Sequence, residues 1–267
     1  MFRSVFLKTL FDRRWFMFGW SLGVMAMLGF TAAFFPTFRD SGLDEIMKTI
    51  PPALKSMLGE MSEYGNFPGY VASAVYGLRA QMLFIPLAII LGYSLGVSDE
   101  ANGRLYQLLA QPISRRRVLL EKYAAGLVVM AVIITLCALA VGTVAVVLNE
   151  SVPTELLAKI SAMTMLFSTA IYTLTYGLGK AFGRKSVALF VPLVWVMFSV
   201  LSDAFSSQVD WMKNADYLSV LRYYNTGDLL HDPIDMMNVA ALGGASLLVI
   251  LVALIAFPAR DLHEEVS

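Results

Sequence analysis

The sequence has little charge, one cysteine and two histidines. Only 15% of its 267 residues are charged, and 58% are hydrophobic, whereas a soluble domain carries about 25% charged residues. Too few polar side chains are present to cover a globule, so we predict that its main solvent is lipid. The lone Cys137 excludes an intramolecular disulfide framework. The formal net charge of zero argues against a nucleic-acid partner.

Long apolar runs are what the sequence does have. A membrane-spanning helix needs about 20 apolar residues, and six runs qualify, so we predict an all-α integral membrane protein that forms a single domain over 1–267. The predicted spans are 15–35, 80–97, 123–148, 156–179, 186–201 and 239–257. The second span is predicted to begin helically near Val71, with Arg79 at its entrance.

The distribution of basic residues predicts the orientation. With six spans both termini lie on the same side, and the segments on that side carry thirteen of the twenty Lys and Arg residues, against six on the opposite side. Because cytoplasmic segments are enriched in Lys and Arg, both termini are predicted to be cytoplasmic, in a multi-pass protein of the cell (inner or cytoplasmic) membrane.

Two basic segments are predicted to lie at the cytoplasmic interface. Residues 1–14 place apolar side chains along one helical stripe and basic ones beside it, which is typical of an interfacial helix. Ser114 is a predicted N-cap, so Arg115, Arg116 and Arg117 fill the first turn of the third span. Anionic headgroups contribute about 1 kcal/mol per basic residue, which outweighs the helix-dipole penalty and makes these arginines predicted anchors.

Two short stretches match part of a catalytic or nucleotide-binding motif, but the residues around them do not fit that function. Gly19 to Gly23 reads G-x-S-x-G, but it lies inside an apolar run that offers no histidine partner, so the same residues are better read as G-x-x-x-G helix packing. Gly92/Gly96 and Gly179/Gly183 repeat that spacing. The surroundings of Gly179-Lys180 lack the other Walker residues. We therefore predict no catalytic, cofactor-binding or metal-binding residue, and no enzymatic activity of the chain itself.

Hydroxyl and aromatic side chains are the polar groups of the spans. Coupled carriers usually keep ionisable groups at mid-depth. These spans offer almost none, so the energy for any transport is expected from outside the chain. Such side chains belong either to helix contacts or to a substrate path. The path candidates are Thr169, Tyr172, Thr173, Tyr176, Trp195 and Ser199.

The loop between the second and third spans, 99–122, contains a further predicted helix. Leu105, Leu108 and Leu109 recur at helical spacing between Gly103 and Pro112. This apolar stripe suits either lipid headgroups or a groove on a cytoplasmic protein, and periodicity does not separate the two.

The same loop, "DEANGRLYQLLAQPISRRRVLLEK", resembles that of ABC-2-type transporter permeases. The matching positions are Glu100, Gly103, Leu105, Leu109, Pro112, Ile113, Ser114, Arg115 and Lys122. The segments "PPALKSMLGE", "LSVLRYYNTGDLL" and "FPARDL" also look like parts of that family, so the resemblance covers nearly the whole chain. Arg104 departs from it, since the family often has Thr there.

The resemblance implies a permease subunit that pairs with a second permease subunit, as a homodimer or a heterodimer, and with separate nucleotide-binding subunits that hold the ATP and Mg. It implies that the loop couples to the ATPase through Glu100, Gly103, Leu105, Leu108, Leu109 and Pro112, and that transport is commonly export. The alternative is a non-transport membrane scaffold or sensor. The sequence does not identify a substrate.

Overall fold

The computed structural model describes residues 4–40, 65–97, 114–206 and 209–259, and every regular element in these ranges is helical. Six helices are long and apolar enough to cross a membrane, which confirms the predicted all-α fold with six spans. Spans one to six are Arg14–Asp40, Phe67–Gly96, Arg115–Val147, Thr154–Phe182, Lys185–Phe205 and Met236–Ala259.

Shorter elements flank the spans. An N-terminal helix, Val5–Asp12, precedes span one, and its presence agrees with the helix predicted within residues 1–14. Between spans five and six, a helix at Asp210–Ala215 is followed by 3-10 turns at Asp216–Leu218, Leu221–Tyr223 and Asp228–Leu230. We call the part of this connection from Asp216 to Thr226 the docking segment.

Span four is the central helix of the bundle. It packs most extensively against spans two and six, and it also contacts spans three and five. Its contact with span two depends on glycine: a Cβ at Gly92 would lie 2.8 Å from Thr175 Cβ, and one at Gly96 would lie 3.1 Å from the Tyr176 carbonyl oxygen. The predicted close packing at Gly92/Gly96 is therefore present, because small residues let two helix backbones approach.

The Gly179/Gly183 pair has a different explanation. Gly179 packs against Val97 and Gly96, as expected for a packing glycine. Gly183, however, lies just beyond the end of span four with φ 67° and donates its N–H to the Gly179 carbonyl oxygen. It is a left-handed helix cap, which glycine adopts without a steric penalty. The second glycine of this pair therefore caps span four, whereas its spacing predicted a helix contact.

Span two is longer than its apolar run. It starts at Phe67, and its N-terminal part includes Val71–Ala80, which is wound as a π-helix before α-helical geometry resumes at Gln81. We call Val71–Ala80 the π segment. Arg79, placed by the sequence at the entrance of the span, instead lies twelve residues inside it.

Candidate functional site

The six residues predicted to couple the chain to an ATPase, at positions 100, 103, 105, 108, 109 and 112, lie outside the described residues. Both flanks of that loop are described, because span two ends at Gly96 and span three begins at Arg115.

The N-terminal helix contacts both flanks. A carboxylate oxygen of Glu121, in span three, accepts a hydrogen bond from the backbone N–H of Phe6 at 3.0 Å. At the other end of the helix, the Arg13 guanidinium donates to the carbonyl oxygen of Ser94, near the end of span two, at 3.3 Å. The N-terminal helix therefore bridges the two helix ends that flank the loop.

Local chemistry explains why this helix begins where it does. The hydroxyl of Ser4 accepts from the Leu7 N–H at 3.2 Å, and the Glu121 carboxylate adds a negative charge at the same end. Unpaired N–H groups and the positive end of the helix dipole both favour such acceptors. The sequence alone did not point to Glu121 in this role, because residue 121 and residue 6 are far apart in the chain.

The three predicted anchor arginines have different environments. Ser114 caps span three as predicted, accepting from the Arg117 N–H at 3.4 Å. Arg117 also pairs with Glu121 at 2.7 Å, across one helical turn. Arg115 donates to the Pro258 carbonyl oxygen of span six at 3.5 Å, whereas Arg116 is exposed. One of the three thus also connects two spans.

Three of the six path candidates come together with Tyr123 of span three. The Tyr172 ring stacks on Tyr123 with centroids 5.4 Å apart, and its hydroxyl donates to the Tyr123 carbonyl oxygen at 3.2 Å. The Thr173 hydroxyl bonds that of Tyr123 at 2.7 Å, and the Tyr176 hydroxyl donates to the Leu119 carbonyl oxygen at 2.7 Å. We call Tyr123, Tyr172, Thr173 and Tyr176 the tyrosine cluster; it joins spans three and four at their loop-proximal ends.

The other candidates lie elsewhere. Trp195 Nε1 donates to the Leu218 carbonyl oxygen at 2.7 Å, and the Ser199 hydroxyl accepts from the Val220 N–H at 3.0 Å. Both attach the docking segment to span five. Thr169 is partly buried on span four. The predicted set is therefore divided between the tyrosine cluster and the docking segment.

The docking segment also reaches the π segment. The Tyr224 hydroxyl donates to the Tyr76 carbonyl oxygen at 3.1 Å, and the Thr226 hydroxyl donates to the Ala72 carbonyl oxygen at 2.7 Å. Burial raises the pKa of the Tyr224 phenol above its ordinary value, which keeps it protonated and able to donate. Two carbonyls of the irregular helix thereby gain side-chain partners.

A sequence comparison extends these observations to a family. The model of the ABC-2 family transporter protein family matches residues 10–262. The chain belongs to this family. A search of curated individual proteins gave no match. The matched range includes all six spans, so this multi-pass membrane protein is a component of a transport system rather than the ATPase itself, and members of the family work with ATP-binding subunits.

Proposed function

We propose that the chain is the permease subunit of an ABC transporter that exports its substrate across the cytoplasmic membrane. Separate nucleotide-binding subunits supply the energy through ATP hydrolysis with Mg, and a second permease subunit, identical or different, completes the membrane part. The observation that carries this proposal is the family match over residues 10–262 in a chain with six candidate spans.

The contacts at the two flanks of the loop support a mechanical role for it. A loop that receives force from an ATPase must pass it to the spans, and a connection with free flanks would dissipate the movement. Here the N-terminal helix bridges the flanks through Arg13 with Ser94 and Phe6 with Glu121. The tyrosine cluster continues this connection from span three into central span four. Displacement at the loop therefore has a packed route into the bundle.

Co-purification with an ATPase tests the proposal. The chain is co-expressed with the genes that neighbour its own, solubilised and purified, and any complex with a P-loop ATPase is assayed for ATP hydrolysis in lipid vesicles. A stable complex with ATPase activity is expected. A chain that recruits no ATPase under these conditions would rule the permease assignment out.

Variants in the loop test the coupling residues. Because Leu105 and Leu109 form the predicted apolar stripe, Leu105→Asp and Leu109→Asp are expected to abolish ATP-driven transport while membrane insertion remains intact. Leu218→Asp is the matched control, since Leu218 is exposed on the docking segment and its carbonyl oxygen, not its side chain, bonds Trp195. Unchanged transport in both loop variants would show that this stripe is not the coupler.

A further inference from the structure

Arg79 is the most deeply placed charged residue of the spans. It lies twelve residues from Phe67 and seventeen from Gly96, while the next deepest, Lys122, lies seven residues from the start of span three. Since the π segment rises less per residue than the 1.5 Å of an α-helix, Arg79 is at most roughly 18 Å from the nearer end of span two. Charged side chains at such depth are costly in a bilayer and mark binding or transport sites.

The surroundings of Arg79 leave most of its donors available. The guanidinium donates to the Ala74 carbonyl oxygen of its own π segment at 2.8 Å, and the side chain is partly buried. Within the described ranges, no carboxylate forms an ion pair with it. A guanidinium has five N–H donors in a planar fork that matches phosphate or carboxylate, so an anion would satisfy both its charge and its geometry.

An apolar groove begins one helical turn from Arg79. It has a volume of about 390 Å³ and is open to the surface. It is lined by Leu83 of span two and by six residues of span one, Trp15, Phe16, Gly19, Trp20, Gly23 and Val24. Leu83 follows Arg79 by four residues, which places the two on the same side of span two. From Val24 to Trp15 the groove runs along nine residues of span one, or about 14 Å.

The groove is open because two of its residues lack side chains. Nothing lies within 4 Å of a Cβ built at Gly19 or at Gly23. Within the chain, these glycines therefore do not form the helix contact that their spacing predicted. They leave an open trough of a volume typical of ligand sites, and Arg79 lies one helical turn from Leu83, the residue of span two that lines it.

We propose that Arg79 and this groove bind a lipid with an acidic headgroup. The phosphate or carboxylate lies on the Arg79 guanidinium, and the acyl chain lies in the groove toward Trp15. The apolar lining favours an acyl chain, and the charge of Arg79 favours an acidic headgroup over a neutral one. In naming this lipid as the class of transported substrate, the inference rests on the proposed function; the binding site itself does not.

Groove tryptophans provide a direct measurement. Trp15 and Trp20 line the groove, and the chain has only two others, Trp195 and Trp211. The purified chain is placed in phosphatidylcholine nanodiscs without ATP or partner, and phosphatidic acid with brominated acyl chains is titrated in. The measured quantity is the quenching of tryptophan fluorescence by the bromine atoms. Brominated phosphatidylcholine is the neutral comparison. The Trp15→Phe/Trp20→Phe variant gives the quenching that arises outside the groove.

Phosphatidic acid is expected to quench at about a tenfold lower mole fraction than phosphatidylcholine, since a hydrogen bond between charged groups contributes roughly that factor. Arg79→Gln is expected to remove this preference and Arg79→Lys to retain much of it. Arg39→Gln, which removes a charge at the opposite end of span one from Trp15, should leave the preference unchanged.

Two results would overturn the site: equal quenching by both lipids in the native chain, or an unchanged preference in Arg79→Gln. A groove covered by a second copy of the chain would give no groove quenching by either lipid, which also refutes the proposal. If Arg79→Gln does not fold, Gly23→Leu decides, because it fills the groove and leaves Arg79 in place; persistent preferential quenching would contradict the site. Failure of the proposed function would appear separately, as a missing ATPase partner.

Discussion

Gly126, in span three, lies directly against the phenol of Tyr172. A Cβ at this position would overlap the Tyr172 hydroxyl and come within 2.9 Å of the ring carbon Cε2. The Tyr172 ring is fully buried and hydrogen-bonded to the Tyr123 carbonyl oxygen, so it has little room to move. Glycine at residue 126 is thus a condition for the tyrosine cluster.

We expect Gly126→Ala to destabilise the protein because the Tyr172 ring must shift and its hydrogen bond is lost. Overpacking of this kind costs about 1–3 kcal/mol, which should appear as a lower melting temperature in detergent. Gly243→Ala is the matched control, since nothing lies within 4 Å of the added Cβ in span six. Equal melting temperatures for the two variants would contradict the crowding at Gly126.

The π segment is the least regular part of a span, and its contacts explain how it is maintained. The docking segment supplies Tyr224 and Thr226 to two of its carbonyls, while Thr164 of span four bonds the Tyr224 hydroxyl at 3.0 Å. Inside the same packing, the Tyr76 hydroxyl and the Cys137 thiol approach to 3.6 Å. π-Helical turns are rare and often occur at functional sites, and Arg79 belongs to this one.

We expect Tyr224→Phe and Thr226→Val to loosen the π segment, because each removes one donor to a buried carbonyl. Amide hydrogen exchange of residues 71–80 should become faster in each variant, with about 0.5–1.5 kcal/mol of stability lost per hydrogen bond. Tyr217→Phe serves as the control, since Tyr217 is largely exposed and its carbonyl, not its hydroxyl, accepts the bond from Tyr223. If exchange in 71–80 is unaffected, the docking segment does not maintain the π winding.

The elements differ in how far the sequence predicts them. Six apolar runs predict six spans, since the bilayer imposes a length and a composition that are readable locally. The start of span two was placed too late because Ser73, Gly77 and Arg79 interrupt its hydropathy. Two carbonyls of the π segment are hydrogen-bonded by side chains of the docking segment, about 150 residues away, and no local pattern contains that information.

The candidate site is likewise predictable from the sequence only in part. Hydroxyl and aromatic residues were identified by type, but their partners were not, because contacts such as Tyr176 with Leu119 or Trp195 with Leu218 join distant parts of the chain. Arg79 was visible as the only charge in its run. Its depth in the membrane follows only from the start of the span at Phe67. Depth in the membrane is a property of the whole helix rather than of one residue.

At the scale of the whole molecule, the orientation remains a prediction that labelling can test. Lys8→Cys, exposed on the N-terminal helix, should react with a membrane-impermeant maleimide only after cells are permeabilised, whereas Tyr217→Cys, exposed on the docking segment, should react in intact cells. The native chain is its own background, because its single Cys137 is fully buried. Labelling with the opposite sidedness would reverse the orientation that the basic residues predict.

The left-handed cap at Gly183 constrains how the bundle can rearrange. Only Gly183 and Arg184 separate the end of span four from the start of span five, and the three residue steps from Phe182 to Lys185 reach at most about 11 Å. The short connection therefore keeps the adjoining ends of these two helices close together. When central span four tilts, that end of span five must move with it. A change in the angle between the two helices must therefore take place about this connection. It separates the helices only at their far ends, where the docking segment contacts span five.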